Sequence, residues 1–394
     1  MATLVLADGT RITGEGFGAK VDSDGEVVFN TGMVGYPESL TDPSYRGQIL
    51  VFTYPLIGNY GVPTEEKNEY GFSKNFESEA IHVRGVIVAQ VSETHSHHAA
   101  VGSFSDWLTK HGIPGITGVD TRMLTKKLRE HGVMLGGIRQ ETNPSTTLRA
   151  GETEAVQALR AFRPEREINE PEEQLSFQDP NLLNLVAEVS IPEPIVYEPK
   201  DGSAVKTVIA YDCGMKRNIL RSFLKRGVRV VRVPWDFDLA SYDGKFDGVF
   251  ISNGPGDPKT CVPTIKAIQN AIEQGIPTFG ICLGNQLMAL AVGGDTYKLK
   301  YGHRGANQPC VEVGDDGKDM HRCIITSQNH GFAVDGEKLP KDWRVWWRNA
   351  NDGTVEGLRH KSGKFYAVQF HPEATPGPED ANYLFDTFLE TLRQ

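Results

Sequence analysis

The chain has 394 residues, of which 39% are hydrophobic and 23% are charged. This composition excludes a disordered or low-complexity chain, and the length is sufficient for two or three domains. Because 41 basic residues stand against 51 acidic ones, the formal net charge of −10 argues against a nucleic-acid partner. No apolar run reaches the length of a membrane-spanning helix, so we expect no membrane partner either.

The N-terminus and the cysteines indicate a reducing, cytoplasmic compartment. Residues 1–16 have neither the basic start nor the long apolar stretch of a signal peptide. The odd number of cysteines and the lack of a Cys-x-x-Cys pair predict reduced thiols, of which at most one or two are chemically important. All five lie in the second half of the sequence: Cys213, Cys261, Cys282, Cys310 and Cys323.

Residues 1–150 are predicted to form a smaller α+β domain. Short runs of β-branched and aromatic residues alternate there with Gly, Pro and Asp, as in strands joined by turns. Helices are predicted over 103–112 and over 120–132, the second beginning at an Asp cap and ending at a glycine. The apolar residues of the second helix are Met123, Leu124 and Leu128.

A histidine-rich cluster, His95, His97 and His98, lies in this first part of the chain. Such a cluster can bind a metal, but no further cysteine or histidine with ligand spacing lies nearby in the sequence. We therefore interpret the segment as a solvated loop and expect no metal site in the protein.

Residues 151–205 are predicted to be an acidic connector. The segment carries prolines and many carboxylates, and large apolar residues are few before position 182. We expect an anchored patch over 181–191, and the simpler prediction of a solvated surface helix over 152–162 followed by a loop is compatible with this.

Residues 206–394 are predicted to form an α/β domain with a mostly parallel sheet. Apolar runs that suit buried strands alternate with helical segments of about 10–13 residues, a pattern that places helices on both faces of the sheet. Ligands bind such sheets at the carboxyl ends of the strands. The predicted strands include VKTVIAYDCG, VRVVRVP, FDGVFIS and IPTFGI, and the predicted helices are KRNILRSFLKRG, PTIKAIQNAIEQG and LGNQLMALAVGG.

The segment around Cys282 is the strongest local signal for chemistry. Gly280 and Gly284 flank the cysteine at two residues on each side, between a predicted strand and a predicted helix. Glycines permit the sharp turn that would present the thiol above the sheet, where the helix N-terminus favours the thiolate. The backbone N–H of Leu283 would then face a developing oxyanion. The alternative is a buried structural cysteine beside packing glycines.

A nucleophilic cysteine needs a base, and His371 is the candidate. It follows the predicted strand FYAVQF, which would deliver it to the same sheet edge as Cys282. Glu373, two residues later, can bind one ring nitrogen and fix the tautomer whose other nitrogen faces the thiol. Taken alone, His-Pro-Glu is an ordinary loop; together with Cys282 it predicts acyl transfer through a thioester.

Two further segments would complete a pocket. The loop over 252–258, SNGPGDP, follows a predicted strand, and its glycine-rich backbone can supply a second oxyanion donor. The polar segment over 326–332, TSQNHGF, is bounded by a turn. Each has a simpler interpretation, an ordinary turn for the first and a hairpin for the second.

These motifs together resemble the class I, triad-type glutamine amidotransferases. The resemblance rests on GICLGNQ, SNGPGDP and QFHPE, which occur in the family's order. The first part of the chain resembles the N-terminal domain of the small subunit of glutamine-dependent carbamoyl-phosphate synthetase. In its motifs the sequence is similar to the glutaminase region of eukaryotic multifunctional pyrimidine-pathway enzymes. The segments that carry it are 30–62 and 111–132, with SQNHGFAV and RGANQP later in the chain.

The resemblance implies a role for each matching residue. Cys282 would attack the carboxamide of glutamine, His371 would transfer the proton and Glu373 would hold His371, while the backbone amides of Gly254 and Leu283 would form the oxyanion hole. The residues implied in glutamine binding are Ser44, Gly254, Gly256, Leu283, Gln286, Asn329, Gly331 and Phe332. Ser44 would place the active site at the junction of the two domains.

The resemblance also implies a partner. A carbamoyl-phosphate synthetase large subunit or domain would bind ATP, Mg and bicarbonate and would receive ammonia through an internal passage. No metal or organic cofactor is expected in this chain. The sequence departs from the family at Asn285, where histidine is usual; we expect this residue to tune the rate of hydrolysis without being part of the triad.

Two other functions compete with a glutaminase. A Gly-x-Cys-x-Gly turn also occurs in esterases of the α/β-hydrolase type, but there the acid precedes the histidine, whereas Glu373 follows His371. The second is a docking or regulatory subunit with little activity in the absence of its synthetase partner.

Overall fold

The computed structural model describes residues 1–140, 176–200, 202 and 204–392. The helix predicted over 152–162 lies outside these residues. Among the described helices, none has the length and apolar character that crossing a membrane requires. The described residues include all five cysteines, and each is free.

The N-terminal part is built around a closed seven-stranded barrel in the order β1-β11-β3-β4-β7-β10-β2. The strands of this part are β1 (Ala2–Leu6), β2 (Arg11–Gly18), β3 (Ser23–Asn30), β4 (Gln48–Phe52), β5 (Leu56–Ile57), β6 (Val62–Pro63), β7 (Gly85–Ile87), β8 (Gln90–Val91), β9 (Ala100–Gly102), β10 (Pro114–Thr117) and β11 (Met134–Gln140). The helices are α1 (Tyr36–Thr41), α2 (Phe104–Lys110) and α3 (Thr121–His131).

Both predicted helices of this part are present, as α2 and α3. The side chain of Asp120 caps α3 by accepting the N–H of Met123, and Gly132 follows its last residue. Leu124 and Leu128 are fully buried, but Met123 is 42% exposed. Met123 lies off the buried face because a residue one position before Leu124 is rotated by about 100° around the helix axis.

The described part of the segment assigned to the connector contains regular secondary structure. It contains a 3₁₀ turn (Pro180–Leu182), α4 (Leu185–Val189) and β12 (Ile195–Tyr197). Val186 is fully buried against the C-terminal sheet, and β12 pairs antiparallel with a strand of that sheet. The predicted anchored patch over 181–191 thus coincides with α4 and the turn before it.

The C-terminal part is built around a ten-stranded sheet. The strands are β12, β13 (Lys206–Asp212), β14 (Val228–Pro234), β15 (Gly248–Ile251), β16 (Thr278–Ile281), β17 (Asp295–Val313), β18 (Asp319–Asp335), β19 (Trp343–Asn349), β20 (Val355–His360) and β21 (Phe365–Val368). The helices are α5 (Arg217–Leu224), α6 (Val262–Glu273), α7 (Leu283–Ala291) and α8 (Leu384–Thr391). The order is β12-β14-β13-β15-β16-β21-β20-β18-β17-β19.

Five neighbouring strands of the sheet are parallel: β14, β13, β15, β16 and β21. Antiparallel strands extend the sheet on both sides of these five. Side chains of β13 pack alternately on the two faces of the sheet. Val208 and Ala210 belong to the hydrophobic core with α5 and α8, whereas Ile209 and Tyr211 belong to the core with α6 and α7. This burial on both faces explains why the parallel strands are continuous apolar runs. The parallel architecture was predicted correctly.

The long pair β17–β18 brings the two parts of the chain together. Its register shifts between Lys298 and His303, so that the strand bulges there. Backbone carbonyls within and just after the bulge accept hydrogen bonds from the N-terminal part: the N–H of Val133 donates to Lys300 at 2.9 Å and that of Thr31 to Arg304 at 3.1 Å. The carboxyl ends of the parallel strands and the bulge therefore face the same junction.

Candidate active site

Cys282 lies on a strained turn between β16 and α7. Its φ of 55° is in the left-handed region, which non-glycine residues rarely adopt. The flanking glycines make the turn possible, since a Cβ on Gly280 would lie 2.7 Å from the backbone of Gly284, and one on Gly284 would lie 2.4 Å from the carbonyl oxygen of Ile251. The cysteine is thus held at the N-terminus of α7 by close backbone packing.

His371 and Glu373 form a buried pair beside this turn. His371 Nδ1 lies 2.6 Å from Glu373 Oε1. β21 ends at Val368, three residues before His371, and the histidine is fixed instead by its N–H, which donates to the carbonyl of Ser327 at 2.9 Å. The other ring nitrogen, Nε2, is buried and has no hydrogen-bond partner among the described residues.

The charges of this pair are strongly coupled. Burial alone would lower the pKa of His371, but negative charge on Glu373 and Cys282 raises it to about 10. Burial would raise the pKa of Glu373, but Lys216 and His371 lower it to about 2. The favoured state of His371 is therefore the imidazolium, paired with the Glu373 carboxylate.

Lys216 is a member of this group that the sequence analysis missed. It is 3% exposed, its Nζ lies 3.0 Å from Glu373 Oε1, and it donates to the carbonyl of Ala374 at 2.6 Å. Burial opposes its charge, but Glu373, Glu77 and Asp42 raise its pKa. Lys216 therefore helps to hold Glu373 ionised, and its Nζ contacts the same carboxylate oxygen as His371 Nδ1.

The two predicted oxyanion donors lie next to each other. A Cβ on Gly254 would be 2.8 Å from Cδ2 of Leu283 and 2.0 Å from the carbonyl oxygen of Cys213, so only glycine fits at this position. Among the described residues, no hydrogen bond is formed by the N–H of Gly254 or by that of Leu283. Both donors are available to a ligand beside Cys282.

A cavity of about 30 Å³ opens in front of Cys282. It is lined by residues of both parts of the chain. The predicted residues among its lining are Ser44, Gly254, Gly256, Cys282, Gln286, Asn329, Gly331 and Phe332. Leu283 lies directly behind this lining, and His371 lines a neighbouring cavity together with Asp42 and Lys216. The sequence analysis did not assign Arg304, which also lines the first cavity.

Ser44 reaches this cavity through a buried network between the two parts of the chain. Its Oγ accepts a hydrogen bond from Nδ2 of Asn253 at 3.0 Å, and its backbone N–H donates one to Oδ1 of Asp42 at 2.9 Å. The other carboxylate oxygen of Asp42 accepts a hydrogen bond from Nδ2 of Asn329 at 3.0 Å. Asp42 and Asn253 were not assigned from the sequence, although both belong to quoted motifs.

Asn285 faces the interior and not the cavity. It is fully buried, and its Nδ2 donates to Oε1 of Gln369 at 3.2 Å. Gln286 donates to the same oxygen at 3.2 Å and to the carbonyl of Phe332 at 2.9 Å. Asn285 therefore contacts the cavity wall through Gln369, and its influence on the rate stays a prediction.

The described residues contain one group of three side chains with metal-ligand spacing. His303, His330 and Glu356 are buried, with ligand atoms within 4.8 Å of one another. Each is already engaged: His303 pairs with Glu356 at 3.2 Å and with Asp352 at 2.8 Å, and His330 Nδ1 contacts the carbonyl of Phe332. The three histidines predicted to lie in a loop, His95, His97 and His98, are exposed.

Comparisons with known proteins agree with this geometry. The family model described as glutamine amidotransferase class-I matches residues 209–391, and the model described as carbamoyl-phosphate synthase small chain, CPSase domain, matches residues 4–138. The carbamoyl phosphate synthase arginine-specific small chain of Aspergillus oryzae is 45% identical over 394 residues, which cover 100% of this chain and 80% of the relative. This chain belongs to the carbamoyl phosphate synthase small-chain family. It is thereby an enzyme chain with a class I glutamine amidotransferase domain.

Longer relatives of this small chain are also similar. Multifunctional protein CAD of Squalus acanthias is 49% identical over 395 residues, and multifunctional protein pyrABCN of Emericella nidulans is 46% identical over 406 residues. Both matches cover 100% of this chain but only 16% and 17% of the relatives, so the chain spans about one sixth of their length. A glutamine amidotransferase structure from Thermotoga maritima is 22% identical in sequence, with a TM-score of 0.34. The match covers 43% of this chain and 76% of that chain, and this likeness is too remote to support inference.

Proposed function

We propose that this small chain hydrolyses L-glutamine to L-glutamate and ammonia through a γ-glutamyl thioester on Cys282. The observation that carries the proposal is the position of Cys282 on its strained turn, next to the buried His371–Glu373 pair and to the unoccupied N–H donors of Gly254 and Leu283. A thiolate, an imidazolium and two oxyanion donors are the groups that acyl transfer from an amide requires.

The reaction proceeds in two halves. The Cys282 sulfur attacks the carboxamide carbon, and the two N–H donors stabilise the oxyanion. His371 Nε2 gives its proton to the leaving nitrogen, the C–N bond breaks and ammonia departs, leaving the thioester. Water then attacks the same carbon while His371 takes its proton, the C–S bond breaks, and glutamate leaves with Cys282 as thiolate.

The ammonia is passed to a carbamoyl-phosphate synthetase large subunit or domain, which combines it with bicarbonate at the expense of ATP. Family membership and the similarity to multifunctional relatives support this partner. In this proposal ATP, Mg and bicarbonate bind the partner, and the small chain needs no metal or organic cofactor.

The test is to measure ammonia release from glutamine by the wild-type chain, with and without a synthetase partner, and by Cys282→Ala. The variant should lose glutamine-dependent ammonia release altogether, because the nucleophile is gone. Cys261→Ala is the matched control: this thiol is also buried, burial raises its pKa to about 12, and its loss should leave the rate unchanged. Turnover that persists in Cys282→Ala would refute the proposal.

A further inference from the structure

Arg304 is a buried cation that lines the cavity in front of Cys282. It lies on β17 and is only 4% exposed, and its Nε has no hydrogen-bond partner within the part of the chain that the structure describes. Nη1 donates to the carbonyl of Tyr301 at 2.8 Å. Among the described residues, no carboxylate forms an ion pair with it.

The neighbouring cation of the same cavity is neutralised. Lys298 Nζ lies 2.6 Å from Glu26 Oε1, and Glu26 also accepts hydrogen bonds from Gln48 at 3.0 Å and from Asn181 at 3.1 Å. The hydrogen bonds of Glu26 thus come from groups other than Arg304, on which its charge acts only at longer range. The positive charge of Arg304 is left facing the cavity.

The backbone around Arg304 holds its guanidinium in place. A Cβ on Gly302 would lie 2.3 Å from Nη1, and one on Gly331 would lie 3.2 Å from Nη2, so these two glycines leave the space that the guanidinium fills. Thr31 donates both its N–H and its hydroxyl to the carbonyl of Arg304, which fixes the residue from the N-terminal part. The side chain is therefore positioned in advance of any ligand.

A buried charge without a partner is costly, and the cost is recovered when an anion binds. A guanidinium matches a carboxylate in shape and can bind it through two hydrogen bonds. Glutamine carries its carboxamide at one end and its α-carboxylate at the other. We propose that Arg304 binds the α-carboxylate of glutamine and selects substrates in which this group is free; this inference rests on the proposed glutaminase function.

A different role for Arg304 would be to stabilise the thiolate. Burial lowers the pKa of Arg304, and negative charge on Glu26 and Cys282 opposes this effect, so the sulfur is within electrostatic reach. The two roles differ in what they affect. Stabilisation of the thiolate would change the reaction of Cys282 with every electrophile, whereas carboxylate binding would change only the recognition of molecules that carry the carboxylate.

The experiment measures how well L-glutamate, and its analogue with an α-N-methylamide, protect Cys282 of the full chain from iodoacetamide. In the wild type, glutamate should protect at a concentration at least about tenfold lower than the methylamide. In Arg304→Gln the two should protect almost equally, and Arg304→Lys should be intermediate because it keeps the charge without the planar fork. The KM for glutamine should rise by a similar factor in Arg304→Gln.

Arg348→Gln is the matched control, since this arginine is exposed on β19, and it should preserve the wild-type preference. The proposal is overturned if Arg304→Gln weakens protection by both ligands equally, which indicates a structural role, or if it slows iodoacetamide labelling without ligand, which indicates thiolate stabilisation. A wild-type chain that releases no ammonia from glutamine contradicts the proposed function, whereas normal ammonia release with an unchanged preference in Arg304→Gln contradicts only this inference.

Discussion

Single residues set the charge state of the candidate site. The thiol, the imidazole and the carboxylate are recognisable in the sequence because each belongs to a short motif with a known geometry. Lys216 is not recognisable in the same way. It lies on the β13–α5 loop, and only the folded sheet brings its ammonium to Glu373.

Replacing Lys216 by methionine should impair both stability and turnover. Without the ammonium, burial acts on the Glu373 carboxylate with less opposition, so its pKa rises and it holds His371 less well. We expect a loss of about 3 kcal/mol in the free energy of unfolding and a slower release of ammonia. Urea unfolding and an ammonia assay measure these effects. Lys266→Met, on the exposed side of α6, should change neither, and a fully active Lys216→Met would contradict the assignment.

The raised pKa of His371 predicts a dependence of stability on pH. An imidazole with a pKa of about 6.5 in the unfolded chain and about 10 in the folded one contributes stability below pH 6.5 and loses it as the pH rises towards 10. The difference in unfolding free energy between wild type and His371→Gln should therefore shrink over this range, by about 1.4 kcal/mol per pH unit. A pH-independent difference would contradict the ion pair, and the exposed His98→Gln should show no trend.

Strands and helices could be predicted from the sequence where the strands are buried on both faces of the sheet. β13 to β16 and helices α5 to α7 follow from apolar runs and helical periodicity, because both faces of the parallel strands are covered. The closure of the barrel was not predictable, since it depends on pairings such as β1 with β11 between opposite ends of the domain. The bulge in β17, which carries Arg304, likewise has no local sequence signal.

The turn between β16 and α7 should tolerate no added methyl group at Gly284. The new Cβ would lie 2.4 Å from the carbonyl oxygen of Ile251, so α7 must move away from β15 and carry Cys282 with it. We expect Gly284→Ala to cost about 1–3 kcal/mol and to slow labelling of Cys282 by a glutamine-mimicking electrophile. Gly102→Ala, where no atom lies within 4 Å of the new Cβ, is the control. Unaltered labelling in Gly284→Ala would show that the turn is not tightly packed.

In the whole molecule, the candidate site depends on the docking of the two parts of the chain. The sequence predicted a junction through Ser44 but not the network that forms it. Asp42 receives hydrogen bonds from Ser44, Asn253 and Asn329, which come from both parts. Asn253 and Asn329 lie 211 and 287 residues from Asp42, so their pairing with it could not be predicted from a local sequence pattern.

Removing the carboxylate of Asp42 should loosen this junction. In Asp42→Ala, the side-chain amide of Asn329 loses its acceptor and that of Asn253 keeps only Ser44 Oγ, so the cavity wall beside them becomes less fixed. We expect the KM for glutamine to rise about tenfold, with a lower melting temperature. The exposed Asp236→Ala should behave as wild type in both measurements. A normal KM in Asp42→Ala would indicate that docking does not shape the binding site.

The cavity wall contributed by both parts of the chain has a thermodynamic consequence. A small molecule seated there touches Ser44 on one side and Gln286 on the other, so its binding energy is lost as soon as either part unfolds or the two separate. Saturation with such a molecule therefore stabilises both parts against unfolding together, by an amount that grows with the logarithm of its concentration.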